Sequence, residues 1–260
     1  MDWLNSCAGF LVGLLVGFTG VGGGALMTPL LVLVFGVAPQ TAVGTDLLYA
    51  ALTKSVGSWV HGVRGALDWY VLRLLWLGSL PMAVLTLILL NNSPVAGGLA
   101  KLILPLLGVA LVLTGGAMLS RPALNRLGAR LRTNFPDRLK AYQPALTVLA
   151  GVILGFLVTL TSVGAGALGA VMLVYLYPFR LRAQKLVGTD IAHAIPLTLL
   201  AGLGHAKLGH VDFRLLGALL LGSIPGIVVG SVLSHRVSTT AVRSAIAVML
   251  VIIGVKMLII

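Results

Sequence analysis

A glycine-rich break that interrupts an apolar run in each half of the chain constrains its fold most. The first break is residues 19–24 (TGVGGG), inside the apolar run 6–35, and the second is residues 161–166 (TSVGAG). Glycine loses the most backbone freedom on ordering, so each cluster predicts two short helices with a break between them. Paired broken helices in two halves of a membrane protein indicate a solute site near mid-membrane.

Composition supports a membrane location. Of the 260 residues, 58% are hydrophobic and only 9% are charged, whereas soluble domains carry about 25% charged residues. The long apolar runs predict an all-α polytopic membrane protein. The single Cys7 excludes an internal disulfide, and we predict no metal and no cofactor. The net charge of +12 is typical of basic cytoplasmic loops, and no aromatic-basic segment indicates a nucleic-acid partner.

An internal repeat divides the chain into two homologous halves. Residues 43–46 (VGTD) recur as residues 187–190, at an offset of 144, and residues 78–81 (GSLP) recur as residues 222–225 (GSIP). His61 and Asp68 also have counterparts at this offset, and the two breaks match at an offset of 142. The predicted organisation is a first membrane repeat (1–120), a basic cytoplasmic linker (121–143) and a second membrane repeat (144–260).

Each repeat is predicted to contain a broken or re-entrant helix pair followed by three transmembrane helices. The predicted segments are 6–18, 25–35, 40–61, 69–90 and 95–119 in the first repeat, and 144–160, 167–177, 183–204, 213–234 and 239–260 in the second.

Charge indicates how the repeats are related. If the linker is cytoplasmic, the basic turn with Arg180 and Arg182 should be cytoplasmic too, while its uncharged counterpart at residues 36–40 should be outside. The halves are therefore predicted to be inverted repeats. Lys207 and Arg214 fall on the wrong side for this topology.

The breaks are the predicted substrate site. A helix that starts after a break points unpaired backbone N–H groups into it, which favours an anion, and open backbone in lipid is tolerated only where protein or a cavity surrounds it. Close packing of helices through small residues is the alternative explanation for the glycines. The predicted substrate-binding residues are Thr19, Gly22, Gly23, Gly24, Thr45, Thr161, Ser162, Gly164, Gly166 and Thr189.

Four ionisable residues in the apolar segments are predicted to couple transport or to balance charge. Asp46 and Asp190, paired by the repeat, are either helix caps or groups that take up a proton. Lys54 would balance an anion, pair with an acid or extend to the membrane interface. His193 lies three residues after Asp190, which suits a hydrogen-bonded pair as well as a ligand role.

With these motifs in view, the chain resembles the TauE/SafE (sulfite exporter) family of membrane permeases. The resemblance is carried by residues 17–29 with 42–45, and by residues 155–166 with 187–189. It implies transport of sulfite, sulfonates or related carboxylates. Asp46 and Asp190 stand where the family often has a small hydroxyl residue, and Ala165 stands where the first break has Gly23.

The functional hypothesis is a secondary transporter of a small anion, multi-pass in a bacterial-type inner membrane, with alternating access to a site between the two breaks. The alternative is a carrier or channel for a cation or neutral solute that uses Asp46 and Asp190. An enzyme is not predicted, because no Gly-x-Ser-x-Gly elbow accompanies Ser162, and no nucleotide-binding glycine loop is present. The expected partners are a small anionic solute and the lipid bilayer, with homo-oligomerisation left open.

Overall fold

The computed structural model describes residues 2–19, 24–60, 67–120, 126, 136–177, 180–181, 183–233 and 239–259. Within these ranges the chain is all-helical, with ten helices of at least ten residues and no strand. The helices are α1 Asp2–Thr19, α2 Gly24–Leu33, α3 Pro39–Val60, α4 Trp69–Asn91, α5 Ser93–Leu119, α6 Pro136–Thr161, α7 Ala167–Leu176, α8 Ala183–Lys207, α9 Phe213–Leu233 and α10 Thr239–Ile259.

These helices correspond one to one to the ten predicted segments, and one boundary prediction is wrong. Helix α6 begins at Pro136, not at Pro144, so it includes the end of the segment predicted as a linker. Proline suits the first turn of a helix, and this favours Pro136 as much as Pro144. Pro144 lies inside the helix, where a transmembrane segment tolerates proline.

Among the described residues, six helices are long and apolar enough to cross a membrane. They are α4, α5, α6, α8, α9 and α10. Helix α3, which contains Asp46 and Lys54, is not among them, although its segment was predicted to cross. Large apolar side chains such as Leu221 and Ile252 are exposed, while both of those charged side chains are buried. Such an inside-out distribution suits a protein surrounded by lipid.

The helices of the two halves interlock. Helix α1 packs along α9, and its counterpart α6 packs along α4, the counterpart of α9. Equivalent helices also pair directly, α3 with α8 and α5 with α10. Each of these contacts joins one half to the other, so the halves form one body with a pseudo-twofold pattern.

Glycine residues allow the closest approaches between these helices. At Gly13 of α1 and Gly226 of α9, an added Cβ would meet the backbone of the opposite helix. The same holds for Gly78 of α4 and Gly155 of α6. Small residues let membrane helices approach at backbone distance, where van der Waals packing holds them together. This packing role applies to glycines outside the two breaks.

Two matching hydrogen bonds fix the direction of the central helices. The backbone N–H of Asp212, just after α8, donates to Thr45 Oγ1 near the start of α3, at 3.0 Å. The backbone N–H of Asp68, after α3, donates to Thr189 Oγ1 near the start of α8, also at 3.0 Å. The start of each helix therefore lies beside the end of the other, and α3 and α8 run antiparallel.

Candidate functional site

The second break is a short irregular segment between α6 and α7. Ser162, Gly164 and Gly166 have φ angles of 59°, 111° and 136°. Glycine adopts such angles readily, but the left-handed conformation of Ser162 costs free energy that the surrounding structure must supply. Gly166 precedes α7 and provides no side-chain cap to its first turn. Across the break, the Gly164 carbonyl accepts from the Gly169 N–H in the first turn of α7, at 3.1 Å.

The first break is described only at its borders. Helix α1 ends at Thr19, whose side chain lies outside the described residues, and α2 begins at Gly24. Gly22 and Gly23 also lie outside the described residues. Their predicted role in binding a solute stays a prediction.

Lys54 connects the first half to the second break. Its side chain is 5% exposed, and its Nζ donates a hydrogen bond to the carbonyl oxygen of Ala165. Asp190 and Asp46 are the two carboxylates that attract this ammonium. A buried ammonium close to two buried carboxylates forms a charged cluster in the middle of apolar helices, where such groups are usually functional.

Asp46 is the fully buried carboxylate of the first half. The Thr28 hydroxyl of α2 donates a hydrogen bond to Asp46 Oδ2, while Oδ1 has no hydrogen-bond partner among the described residues. Ser162 lies close enough to interact electrostatically with this carboxylate, although its Oγ makes no hydrogen bond within the described part of the chain. The second break and Asp46 therefore border the same place.

Asp190, the counterpart of Asp46, lies against α7. A Cβ added at Gly169 would meet Asp190 Oδ1, so a glycine is needed here to leave room for the carboxylate. Asp190 is 5% exposed. Helix α7 therefore leaves space for an acidic side chain of α8 near its start.

His193 and Tyr49 occupy equivalent positions one turn beyond the two aspartates. His193 Nε2 lies 2.9 Å from Ser79 Oγ of α4, and Tyr49 interacts with Ser223 of α9. Of the two roles considered for His193, the hydrogen bond with Asp190 is not formed by Nε2, which faces Ser79 instead, and the ligand role stays a prediction. His193 Nδ1 and the Tyr49 hydroxyl make no hydrogen bond within the described ranges.

The predicted threonine ligands have backbone partners. Thr45 and Thr189 accept the N–H groups of Asp212 and Asp68. Thr161 Oγ1 donates to the Leu157 carbonyl at 2.6 Å and accepts from the Val163 N–H at 3.2 Å, which ends α6. These hydroxyls hold the helix ends in place, so a solute would compete with the fold for them.

Four polar residues of this region were not predicted from the sequence as part of a site: Thr28, Tyr49, Ser79 and Ser223. Both serines lie in the repeated Gly-Ser-Leu/Ile-Pro motif, which was used as a marker of the repeat although it also signals a duplicated polar group. Thr28 has no such signal, because its counterpart across the breaks is Ala170.

An ion pair closes one side of the central helices. Arg180 Nε and one terminal nitrogen donate to the Asp68 carboxylate at 2.6 and 2.9 Å, and the guanidinium lies 5.0 Å from the Tyr70 ring centroid. Burial raises the pKa of Asp68, but the hydrogen bonds from Arg180 and from the Val71 N–H outweigh it and hold the pKa below its usual range. On the opposite side, within the described residues, Asp212 caps α9 without an ion pair.

Comparison with known proteins gives a consistent result. The family model described as "Sulfite exporter TauE/SafE" matches residues 6–257. The chain is 41% identical over 252 residues to the probable membrane transporter protein YjnA of Bacillus subtilis, covering 96% of this chain and 97% of YjnA. It is 28% identical to the probable membrane transporter protein YdhB of the same organism, over 96% of this chain and 97% of YdhB. No solved structure matches the chain.

Proposed function

Because the chain belongs to the TauE/SafE family of membrane transporters, we propose that it moves a small anion, a sulfite-like or organosulfonate oxyanion, across the cell membrane. The family match confirms the resemblance drawn from the sequence, and with it the prediction of a multi-pass membrane transporter rather than an enzyme. The substrate, the site and the mechanism below are our proposals.

The observation that carries the anion proposal is the position of Lys54. It brings a buried ammonium from the first half to the irregular backbone of the second break, at the Ala165 carbonyl. Beside it are Ser162, whose hydroxyl is buried, and the uncapped start of α7. An ammonium, a hydroxyl and a helix N-terminus together are the donors that an oxyanion requires.

The proposed site lies between the two breaks. Gly164 and Gly166 let the anion approach the second break, and Gly22, Gly23 and Gly24 with Thr19 would provide the matching surface of the first. Thr45, Thr161 and Thr189 shape the site by fixing the helix ends. Asp46, Asp190 and His193 set the charge around Lys54.

Alternating access follows from the proposed inverted repeat. The antiparallel α3 and α8 support an inverted relation between the halves, because a parallel repeat would align them in one direction. In such a fold the halves rock about a fixed site, opening it to one side of the membrane at a time. The Arg180–Asp68 pair would then open when the site faces its side.

The test of the anion proposal is thermal stabilisation of the detergent-purified protein. A ligand that binds the folded state raises the unfolding midpoint by mass action. Sulfite, sulfate, sulfoacetate, taurine, short carboxylates and divalent cations form the panel. Stabilisation by one class of oxyanion supports the proposal, and Gly166→Leu, which fills the break, should abolish it.

A second candidate function, transport of a cation, is favoured by the two buried carboxylates. It predicts stabilisation by a cation alone. It also predicts that the double variant Asp46→Asn/Asp190→Asn binds no ligand, whereas an anion site should survive that change.

A further inference from the structure

The charges around the site do not balance for an anion. Two carboxylates, Asp46 and Asp190, face one ammonium, Lys54, and all three are buried. If all three are ionised, the cluster carries one net negative charge before any solute arrives. An added anion would leave a second unbalanced charge in a low-dielectric interior, which is strongly unfavourable.

We propose that the anion binds together with a proton, which is taken up by the carboxylate of Asp46. This inference rests on the proposed function and gives it a coupling ion. The proton comes from water, neutralises the carboxylate and leaves the total charge of the occupied cluster equal to that of the empty one for a monovalent anion. An anion with two charges would need a second proton or would bind more weakly.

Asp46 is the proton acceptor because it is the carboxylate that Lys54 neutralises less. Lys54 Nζ donates to the Ala165 carbonyl, and Asp190 Oδ1 lies against Gly169 of the helix that follows, whereas eight residues of α3 separate Asp46 from Lys54, an axial rise of about 12 Å. Asp46 Oδ1 also makes no hydrogen bond within the described part of the chain. A proton on this oxygen would lie near Ser162 and the second break.

The remaining titratable groups around Asp46 come from α3 and α8. They are Tyr49 and Lys54 on its own helix, and Asp190 and His193 on α8. His205, farther along α8, is buried against Gly44 of α3, and its Nε2 donates to the Thr159 carbonyl. From α2, Thr28 contributes a hydroxyl, and from the second break Ser162 contributes another. In the described parts of α5, α6 and α9, which also pack on α3, no charged side chain faces this cluster. His193 is therefore the rival proton acceptor that an experiment must separate from Asp46.

The experiment is calorimetric titration of the purified protein with methanesulfonate and with sulfate. The charges of these two probes do not change over the range used, about pH 5.5 to about pH 8.5. Linked uptake of one proton raises the apparent Kd of methanesulfonate by up to tenfold for each pH unit while the acceptor is ionised. It also makes the measured heat depend on the ionisation enthalpy of the buffer.

Variants identify the side chain that takes up the proton. Asp46→Asn should bind methanesulfonate with a Kd that changes by less than about twofold over the range, because the neutral amide replaces the protonated acid. Asp46→Ser serves the same purpose if the amide fails to fold. Asp212→Asn, the same substitution at a helix cap outside the cluster, should keep the pH dependence of the wild type.

The outcomes separate the two proposals. Equal affinity across the range in the wild-type protein overturns proton coupling while leaving the anion site intact. A pH dependence that persists in Asp46→Asn and disappears in His193→Gln overturns the assignment to Asp46. Absence of binding by both probes at every pH contradicts the anion proposal itself, and this inference falls with it.

Discussion

The Asp46 and Asp190 regions share a scaffold and differ in charge. In both, the threonine before the aspartate accepts a backbone N–H from the opposite half, at 3.0 Å in each case. In both, a residue one turn later faces a serine of the repeated motif. Lys54, however, has Thr198 as its counterpart, and Arg180 corresponds to the uncharged turn of residues 36–38. The hydrogen bonds that join the halves are therefore duplicated, whereas the basic residues Lys54 and Arg180 each have no basic counterpart in the other half.

The largest effect is expected from removing the unduplicated charge at the site. Lys54→Met should lower oxyanion affinity by roughly 10- to 100-fold, because a charge-assisted hydrogen bond contributes about 1.5–3 kcal/mol. Thr198→Val is the matched control, since the Thr198 hydroxyl bonds only within its own helix. Titration calorimetry measures both, and unchanged affinity in Lys54→Met would mean that Lys54 does not contact the anion.

A methyl group tests whether Asp190 needs the space at Gly169. Gly169→Ala would place its Cβ on Asp190 Oδ1, so the carboxylate must move, and we expect destabilisation of about 1–3 kcal/mol together with weaker binding. Gly217→Ala in α9 meets open space and should stabilise the helix by about 0.5–1 kcal/mol. Thermal unfolding in detergent compares them, and equal midpoints would argue against the tight contact.

The duplicated bonds should be equivalent in energy. Thr45→Val and Thr189→Val each leave a backbone N–H without its acceptor, which costs about 1–3 kcal/mol. We expect similar losses in unfolding free energy, with Thr189→Val no smaller because its bond is the more buried. If one variant unfolds like the wild type, the two junctions are not equivalent.

The smallest effect is expected at the ion pair. Asp68→Asn keeps a side-chain oxygen that can cap α4 but loses the ion pair with Arg180, whose side chain is 47% exposed. The free energy of unfolding should therefore fall by at most about 1 kcal/mol. The pKa of Asp68 is depressed in the folded protein. Its stabilisation is therefore complete above the unfolded pKa and is lost as the pH falls below about 4.

Measuring the free energy of unfolding at decreasing pH checks this predicted loss of stabilisation. The difference between wild type and Asp68→Asn should shrink towards zero at low pH and with added salt. Asp212→Asn, at the junction that has no ion pair among the described residues, should show a smaller difference at neutral pH. A pH-independent difference would indicate that Asp68 acts as a cap alone.

Helix number and order could be predicted from the sequence because apolar runs, prolines and glycine clusters are local signals. The start of α6 could not, because two prolines were equally suitable. In the site, the repeat identified Asp46, Asp190 and the breaks, since matching positions stand out without any structure. The contacts of Lys54 with Ala165 and of Thr28 with Asp46 depend on how the halves interlock, and no local pattern encodes that arrangement.

The central claim is that Lys54 and the second break bind one oxyanion between the two halves. Anomalous diffraction at the selenium edge from crystals grown in mildly acidic solution with hydrogen selenite, a singly charged analogue of sulfite, tests it most directly. We predict a selenium peak between Lys54 Nζ and Ser162 Oγ, placed so that the oxygens of the anion accept hydrogen bonds from both groups. This peak should be absent in Lys54→Met. A peak elsewhere in the wild-type protein, or a cation bound between Asp46 and Asp190 instead, would contradict the account.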